Sequence, residues 1–211
     1  MIHGDGLRDA GVAALLDAPA LRGLKRLAIY GRGATWAGVF KRLSGEDPPP
    51  LEDLDVSAAQ SSKKPGAWSR ATFLRGVRRL KLDGLQGQEY APLLGSSHLT
   101  SLELLVLGGC HAQRDEALAA MLRAPALPSL KVLSLRGWTL SALEAKALAR
   151  SPLARGLAGV DVNPSTNAPE ALRAFLDAGV PVVGTASYPE FFVSPLRHWD
   201  HAFRDDVCEG P

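Results

Sequence analysis

The chain has 211 residues, 46% apolar and 22% charged, which suffices for one substantial core and is too evenly mixed for a disordered segment. A formal net charge of +2 gives no case for a nucleic-acid or membrane partner held by bulk electrostatics, and two cysteines, Cys110 and Cys208, do not make a disulfide framework. No stretch reaches about eighteen uninterrupted apolar residues and the N-terminus M-I-H-G-D-G-L-R-D lacks the pattern of a leader, so the expectation is a soluble, cytoplasmic chain with reduced thiols and no membrane partner.

In chain order, G-L-R-D-A-G-V-A-A-L-L-D-A (6–18) predicts a helix with Val12, Leu15 and Leu16 on one face. The strand expected before it is not evident, so this helix reads either as a cap or as part of a longer array. A run L-x-x-L-x-I then begins at Leu24. T-W-A-G-V-F-K-R-L offers Trp36, Val39, Phe40 and Leu43 at helical spacing, and three prolines (48–50) end it and favour extended chain into Leu51. The unit from Leu51 is the least regular, with a polar connector Q-S-S-K-K-P-G and a short helical stretch from Trp68 to Leu74. The unit from Val77 continues to Leu93 and Leu94. The unit from Leu102 is followed by an amphipathic helix that sets Leu118, Met121 and Leu122 inward. After the run at Leu130, Ser141 and Glu144 form a capping box. After the run at Leu157, Pro169 and Glu170 suit a first helical turn, Leu172, Phe175 and Leu176 form the inward face, and Gly179 is a stop. V-P-V-V-G-T (180–185) supplies one more short strand.

The runs begin at residues 24, 51, 77, 102, 130 and 157, in steps of 27, 26, 25, 28 and 27. Such regularity predicts a solenoid, in which each unit buries its apolar face only when neighbours stack on it. The spacing L-x-x-L-x-L, clearest in L-K-V-L-S-L-R-G-W-T-L (130–140), resembles the leucine-rich repeat family, L-x-x-L-x-L-x-x-N/C-x-L. The resemblance is to the longer, ribonuclease-inhibitor-like units in a degenerate form of bacterial type, and it covers roughly residues 6–184. It implies an α/β fold: a right-handed solenoid of about six to seven units over residues 1–185, with a parallel concave sheet and helices on the convex side. An aromatic-rich cap or tail then occupies residues 186–211. The family's ninth position, normally Asn or Cys, holds Arg32, Ala59, Leu85, Cys110, Trp138 and Ser165, and only Cys110 conforms. The other turns must satisfy their backbone groups differently.

The resemblance further implies a non-enzymatic module, without cofactor or metal, that binds a protein or peptide on the concave face. Strand alternation puts Arg26 and Tyr30 of the first run on that face, with Asp53 and Asp55 of the second and Arg79, Lys81 and Asp83 of the third. The later runs contribute Leu104 and Val106, then Val132, Ser134 and Arg136, then Asp161. Neighbouring strands place Asp53 between Arg26 and Arg79, and Asp55 beside Lys81. Two readings are open: a self-neutralising ladder whose pairs contribute about 0–1 kcal/mol each, or a polar half joined to an exposed apolar patch of Leu104, Val106 and Val132 with Arg136 at its rim.

Two other classes are weighed. The segment 63–81 carries Lys63, Lys64, Arg70, Arg75, Arg78, Arg79 and Lys81 without an acid, and Trp68 offers a stacking face, as an anion or nucleic-acid binder requires. Compensation by the acidic segment 46–55 is the simpler reading. A metal-dependent hydrolase would use His198, Asp200 and His201 with Cys208, but no metal-ligand spacing accompanies them. Cys110 and His111 are adjacent, with no third residue to orient the histidine.

Overall fold

A computed structural model describes residues 2–3, 8–19, 22–30, 35–45, 48–57, 65–108, 113–163 and 167–183. The fold is α/β. Seven strands form one sheet in sequential order, every neighbouring pair parallel: β1 (Ile2–His3), β2 (Arg26–Tyr30), β3 (Asp53–Ser57), β4 (Arg79–Leu82), β5 (Leu104–Leu107), β6 (Val132–Leu135) and β7 (Gly159–Val162).

The register reproduces the sequence repeat. Leu27, Leu54, Leu80, Leu105, Leu133 and Val160 stand side by side across six strands, and all are fully buried. Two residues further on, Ile29, Val56, Leu82 and Leu107 form a second such row. The strand missing from the sequence reading is present: Ile2 pairs with Ile29, one repeat step away. Two paired residues carry too little pattern to be read as a strand.

Each crossover runs through helix, as parallel pairing demands. The helices are α1 (Asp9–Leu16), α2 (Trp36–Leu43), α3 (Gly87–Leu94), α4 (Arg114–Arg123), α5 (Ala142–Ala149) and α6 (Pro169–Asp177). The crossover from β3 to β4 instead uses two 3₁₀ stretches, Pro65–Arg70 and Thr72–Gly76. The core lies between one face of the sheet and this helical layer, where Val12, Val39, Leu43, Leu74, Tyr90, Leu93, Met121, Leu148 and Phe175 meet the strand leucines. Where the α-helix is lacking, aromatic rings fill the space: Phe40 meets Trp68 edge-on at 4.1 Å and stacks on Phe73 at 5.7 Å.

Local grammar is realised at α5, where Ser141 Oγ accepts from the Glu144 N–H and Glu144 Oε2 accepts from the Ser141 N–H at 2.8 Å. At α6 the inward face differs from expectation. Ala171 and Phe175, one turn apart, are buried, whereas Leu172 is half-buried and Leu176 is 57% exposed. Gly179 at φ +77° closes α6: its N–H donates to Leu176 O and the Val180 N–H reaches back to Phe175 O, both at 2.9 Å. That turn lays residues 181–183 along β7, where Val160 pairs with Val182, so of the additional strand expected over 180–185 the described residues show a single bridge. Val162 is the last residue of the last named strand, and the proposed tail, 186–211, lies outside the described residues.

Candidate interaction surface

Side chains that alternate with the buried row emerge on the second face of the sheet. Asp53 is its most connected residue. Arg79 donates to it twice, Nε to Oδ1 at 2.5 Å and Nη2 to Oδ2 at 2.6 Å, and Arg26 Nε lies 3.1 Å from Oδ2 on the other side. One position along, Lys81 Nζ lies 3.5 Å from Asp55 Oδ2 and 4.0 Å from Asp83 Oδ2. At the other end of the sheet, Asp161 Oδ2 accepts from Ser134 Oγ at 2.9 Å and sits 3.0 Å from Arg136 Nε. The charged residues expected here are therefore brought together as a cross-strand ladder, and Asp55, Ser134 and Asp161 are buried within it. Tyr30 ends β2 opposite Ser57, and its side chain lies outside the described residues.

The expected exposed apolar patch is not there. Leu104 and Val132, paired across β5 and β6, are each only 2% exposed, and Val106 is half-buried. Alternation assigns a residue to a face and says nothing of how closely its neighbours stand. Gly159 follows Val132 in register with no side chain of its own, and Val183 folds over that space: a Cβ at Gly159 would come within 2.6 Å of Val183 Cγ1. Among the described residues of this face, Arg26 and Arg136 are the well-exposed cations, at 52% and 44% side-chain exposure.

A second charged row escaped the sequence reading. The residue just before each of β2 to β6 is, in order, Lys25, Glu52, Arg78, Glu103 and Lys131, and each carbonyl accepts two N–H groups from the start of the next strand. Lys25 O takes Glu52 N and Asp53 N at 2.8 and 3.0 Å, and the same pattern recurs from Glu52, Arg78, Glu103 and Lys131. The side chains follow the backbone: Lys25 Nζ to Glu52 Oε1 is 2.7 Å, Arg78 Nη2 to Glu103 Oε1 2.9 Å, and Lys131 Nζ to Glu103 Oε1 3.5 Å. The hydrogen bond from Lys25 holds the Glu52 carboxyl below the ordinary carboxylate range, and that from Arg78 does the same for Glu103. The signal was available as the second position of the first five runs; in the sixth that position is Ala158.

The turns leaving the strands solve the missing Asn or Cys in different ways. Leu85 is buried as an apolar plug. Trp138, 2% exposed, sends Nε1–H to Gly108 O at 3.2 Å and packs edge-on against Tyr90 at 5.9 Å. In the next unit the work falls to Asn167, two residues past the expected place. Its Oδ1 accepts from the Leu140 N–H at 2.7 Å, and its Nδ2 donates to Trp138 O and Asn163 O, both at 2.9 Å. Arg32, Ala59, Cys110 and Ser165 lie outside the described residues.

No family model matches this chain, and no curated protein does.

Among the described residues of the basic segment, most of the side chains that an anion binder would use are buried or already paired. Trp68 is fully buried in the aromatic cluster and offers no stacking face. Arg78, Arg79 and Lys81 are engaged by Glu103, Asp53 and Asp55. Arg70 and Arg75 are exposed, and Arg75 Nε donates to His98 Nδ1 at 3.2 Å, while Lys63 and Lys64 lie outside the described residues. So do Cys110, His111, His198, Asp200, His201 and Cys208. Among the described residues no three His, Cys, Asp or Glu side chains gather as metal ligands, and no helix is long and apolar enough to cross a membrane.

Proposed function

We propose that the chain is a right-handed leucine-rich-repeat solenoid acting as a non-enzymatic, cytoplasmic interaction module. It binds a protein or peptide across the second face of its sheet, from Arg26 on β2 to Arg136 beside β7. The arrangement that supports this reading is the cross-strand ladder. Arg79 clamped on Asp53, Lys81 on Asp55 and Arg136 on Asp161 hold polar side chains in fixed positions over several strands. A surface whose rotamers are already fixed loses less entropy when a partner docks. Fold-level likeness adds the class of partner and is a weaker support.

The face works with side chains rather than with an apolar groove, so the partner is polar where it meets Arg26 and Arg136 and makes apolar contact at the half-buried Val106. Affinity capture with the intact chain tests this against two variants. One combines Arg26→Ala, Val106→Ser and Arg136→Ala on the sheet; the other combines the exposed helix residues Leu143→Ser and Leu176→Ser. With folding verified by circular dichroism, a partner retained by the helix variant and lost by the sheet variant is the expected result. Loss through the helix variant, or retention by both, refutes the assignment of the face.

A further inference from the structure

The apolar pattern repeats in every unit, and that repetition is a hazard. A strand whose buried row is Leu-x-Leu matches any other strand of the array, so hydrophobic burial alone does not say that coil 2 stacks on coil 1 rather than coil 3. Something else has to distinguish neighbours.

Charge does so. Taking the seven-residue segments 24–30, 51–57, 77–83, 102–108, 130–136 and 157–163 as coils 1 to 6, their net charges are +2, −3, +2, −1, +2 and −1. The sign alternates without a break. Lys25 and Arg26 make the first coil basic, and Glu52, Asp53 and Asp55 make the second acidic. The third coil has Arg78, Arg79 and Lys81 against Asp83. Glu103 sets the fourth, Lys131 and Arg136 the fifth, and Asp161 the sixth. Every ion pair described between two of these segments joins consecutive coils: 1 with 2, 2 with 3, 3 with 4, 4 with 5 and 5 with 6. The 24 basic and 22 acidic residues are nearly balanced in number, so the alternation reflects where the charges stand and not an excess of one sign.

We infer that this alternation is a neighbour-recognition device that fixes the order in which the coils stack. Adjacent coils attract. Coils two apart carry the same sign, so a strand that skipped its neighbour would set Lys25 and Arg26 against Arg78 and Arg79, or Glu52 against Glu103, about 4.8 Å away across the sheet. Exposed pairs contribute little to the stability of the correct fold. Their use lies in the difference between correct and skipped pairing, which counts both the attractions lost and the repulsions gained.

The exposed row tests this, because Lys25, Glu52, Arg78 and Lys131 have side-chain exposures between 40% and 65% and tolerate substitution. The double variant E52K/R78E keeps the net charge and the number of charged residues but, within this row, puts like charges at coils 1 and 2 and at coils 3 and 4. E52Q/R78Q removes both charges without repulsion, and K25E/E52K/R78E/E103K/K131E inverts every sign along this row while preserving the row's own alternation, leaving the charges inside the strands unchanged. Each protein is refolded by dilution from urea at about 0.01 M salt, and the ratio of monomer to soluble oligomer is read by size-exclusion chromatography. E52K/R78E is expected to lower that ratio about three- to fivefold relative to E52Q/R78Q, with the difference vanishing at about 1 M salt, where charges are screened beyond about 3 Å. The fivefold inversion is expected to refold like the wild type. Equal recovery of E52K/R78E and E52Q/R78Q, or an inverted ladder that refolds no better than E52K/R78E, overturns the inference.

Discussion

Glu144 offers the sharpest quantitative test of how α4 and α5 are joined. Its carboxylate receives Arg114 Nη1 and Nη2, the Ser141 N–H and Ser141 Oγ, each at 2.8 Å. Arg114 Nη2 also donates to Thr139 O at 2.7 Å, so one guanidinium ties the start of α4 to the turn and cap that begin α5. These donors, Arg114 foremost, hold the Glu144 carboxyl at about 2, against an ordinary value of 4.5. That difference corresponds to at most roughly 3 kcal/mol, and screening around a carboxylate that is 26% exposed reduces it to about 1–2 kcal/mol. Because the folded value is depressed, this stability is fully present above pH 4.5 and is lost as pH falls through about 2. Urea denaturation of the wild type and Glu144→Gln at a series of pH values isolates it, since the glutamine does not titrate. The wild type should exceed the variant by about 2 kcal/mol at pH 7, counting the capping contribution of about 1 kcal/mol, and most of the charge-dependent part should be gone by about pH 2. A gap unchanged over that range would show that the charge of Glu144 is not what joins the two helices.

Two further substitutions probe the turns and the last strand. Asn167→Ala strips partners from the buried Leu140 N–H and Trp138 O and should cost about 2–3 kcal/mol by urea denaturation, well beyond the effect of the same change at a surface asparagine. Gly159→Ala drives a Cβ against Val183, and hydrogen exchange should then reveal faster exchange of the Val183 N–H, which donates to Val160 O.

What could be read from the chain follows from which physical constraint leaves a periodic trace. The buried row from Leu27 to Val160 must be apolar in every strand from β2 to β7, so its spacing announced both the sheet and its register. The capping box at Ser141 and the turn at Gly179 were legible because backbone geometry there demands particular residue types. Trp138 and Asn167 were not, because a buried carbonyl or N–H can be satisfied by any donor or acceptor that reaches it, from any position within reach. The inward face of α6 was misplaced on Leu176 because helical spacing alone allows more than one apolar stripe, and packing against α5 selects Ala171 and Phe175. On the sheet face the neighbour pairs Arg26, Asp53 and Arg79 were foreseen correctly. The burial of Leu104 and Val132 was not, since alternation assigns a face and does not say how closely the neighbouring side chains stand.

The short segment after α6 bears on how any partner can approach. Val160 donates its N–H to Pro181 O at 2.8 Å and accepts from the Val183 N–H at 2.9 Å. At that point the outer rim of β7 has already spent its main-chain hydrogen bonds. A peptide that recognised this chain by adding itself as one more strand would first have to peel residues 181–183 away. At Val160 this margin is therefore closed to strand addition for as long as residues 181–183 stay in place.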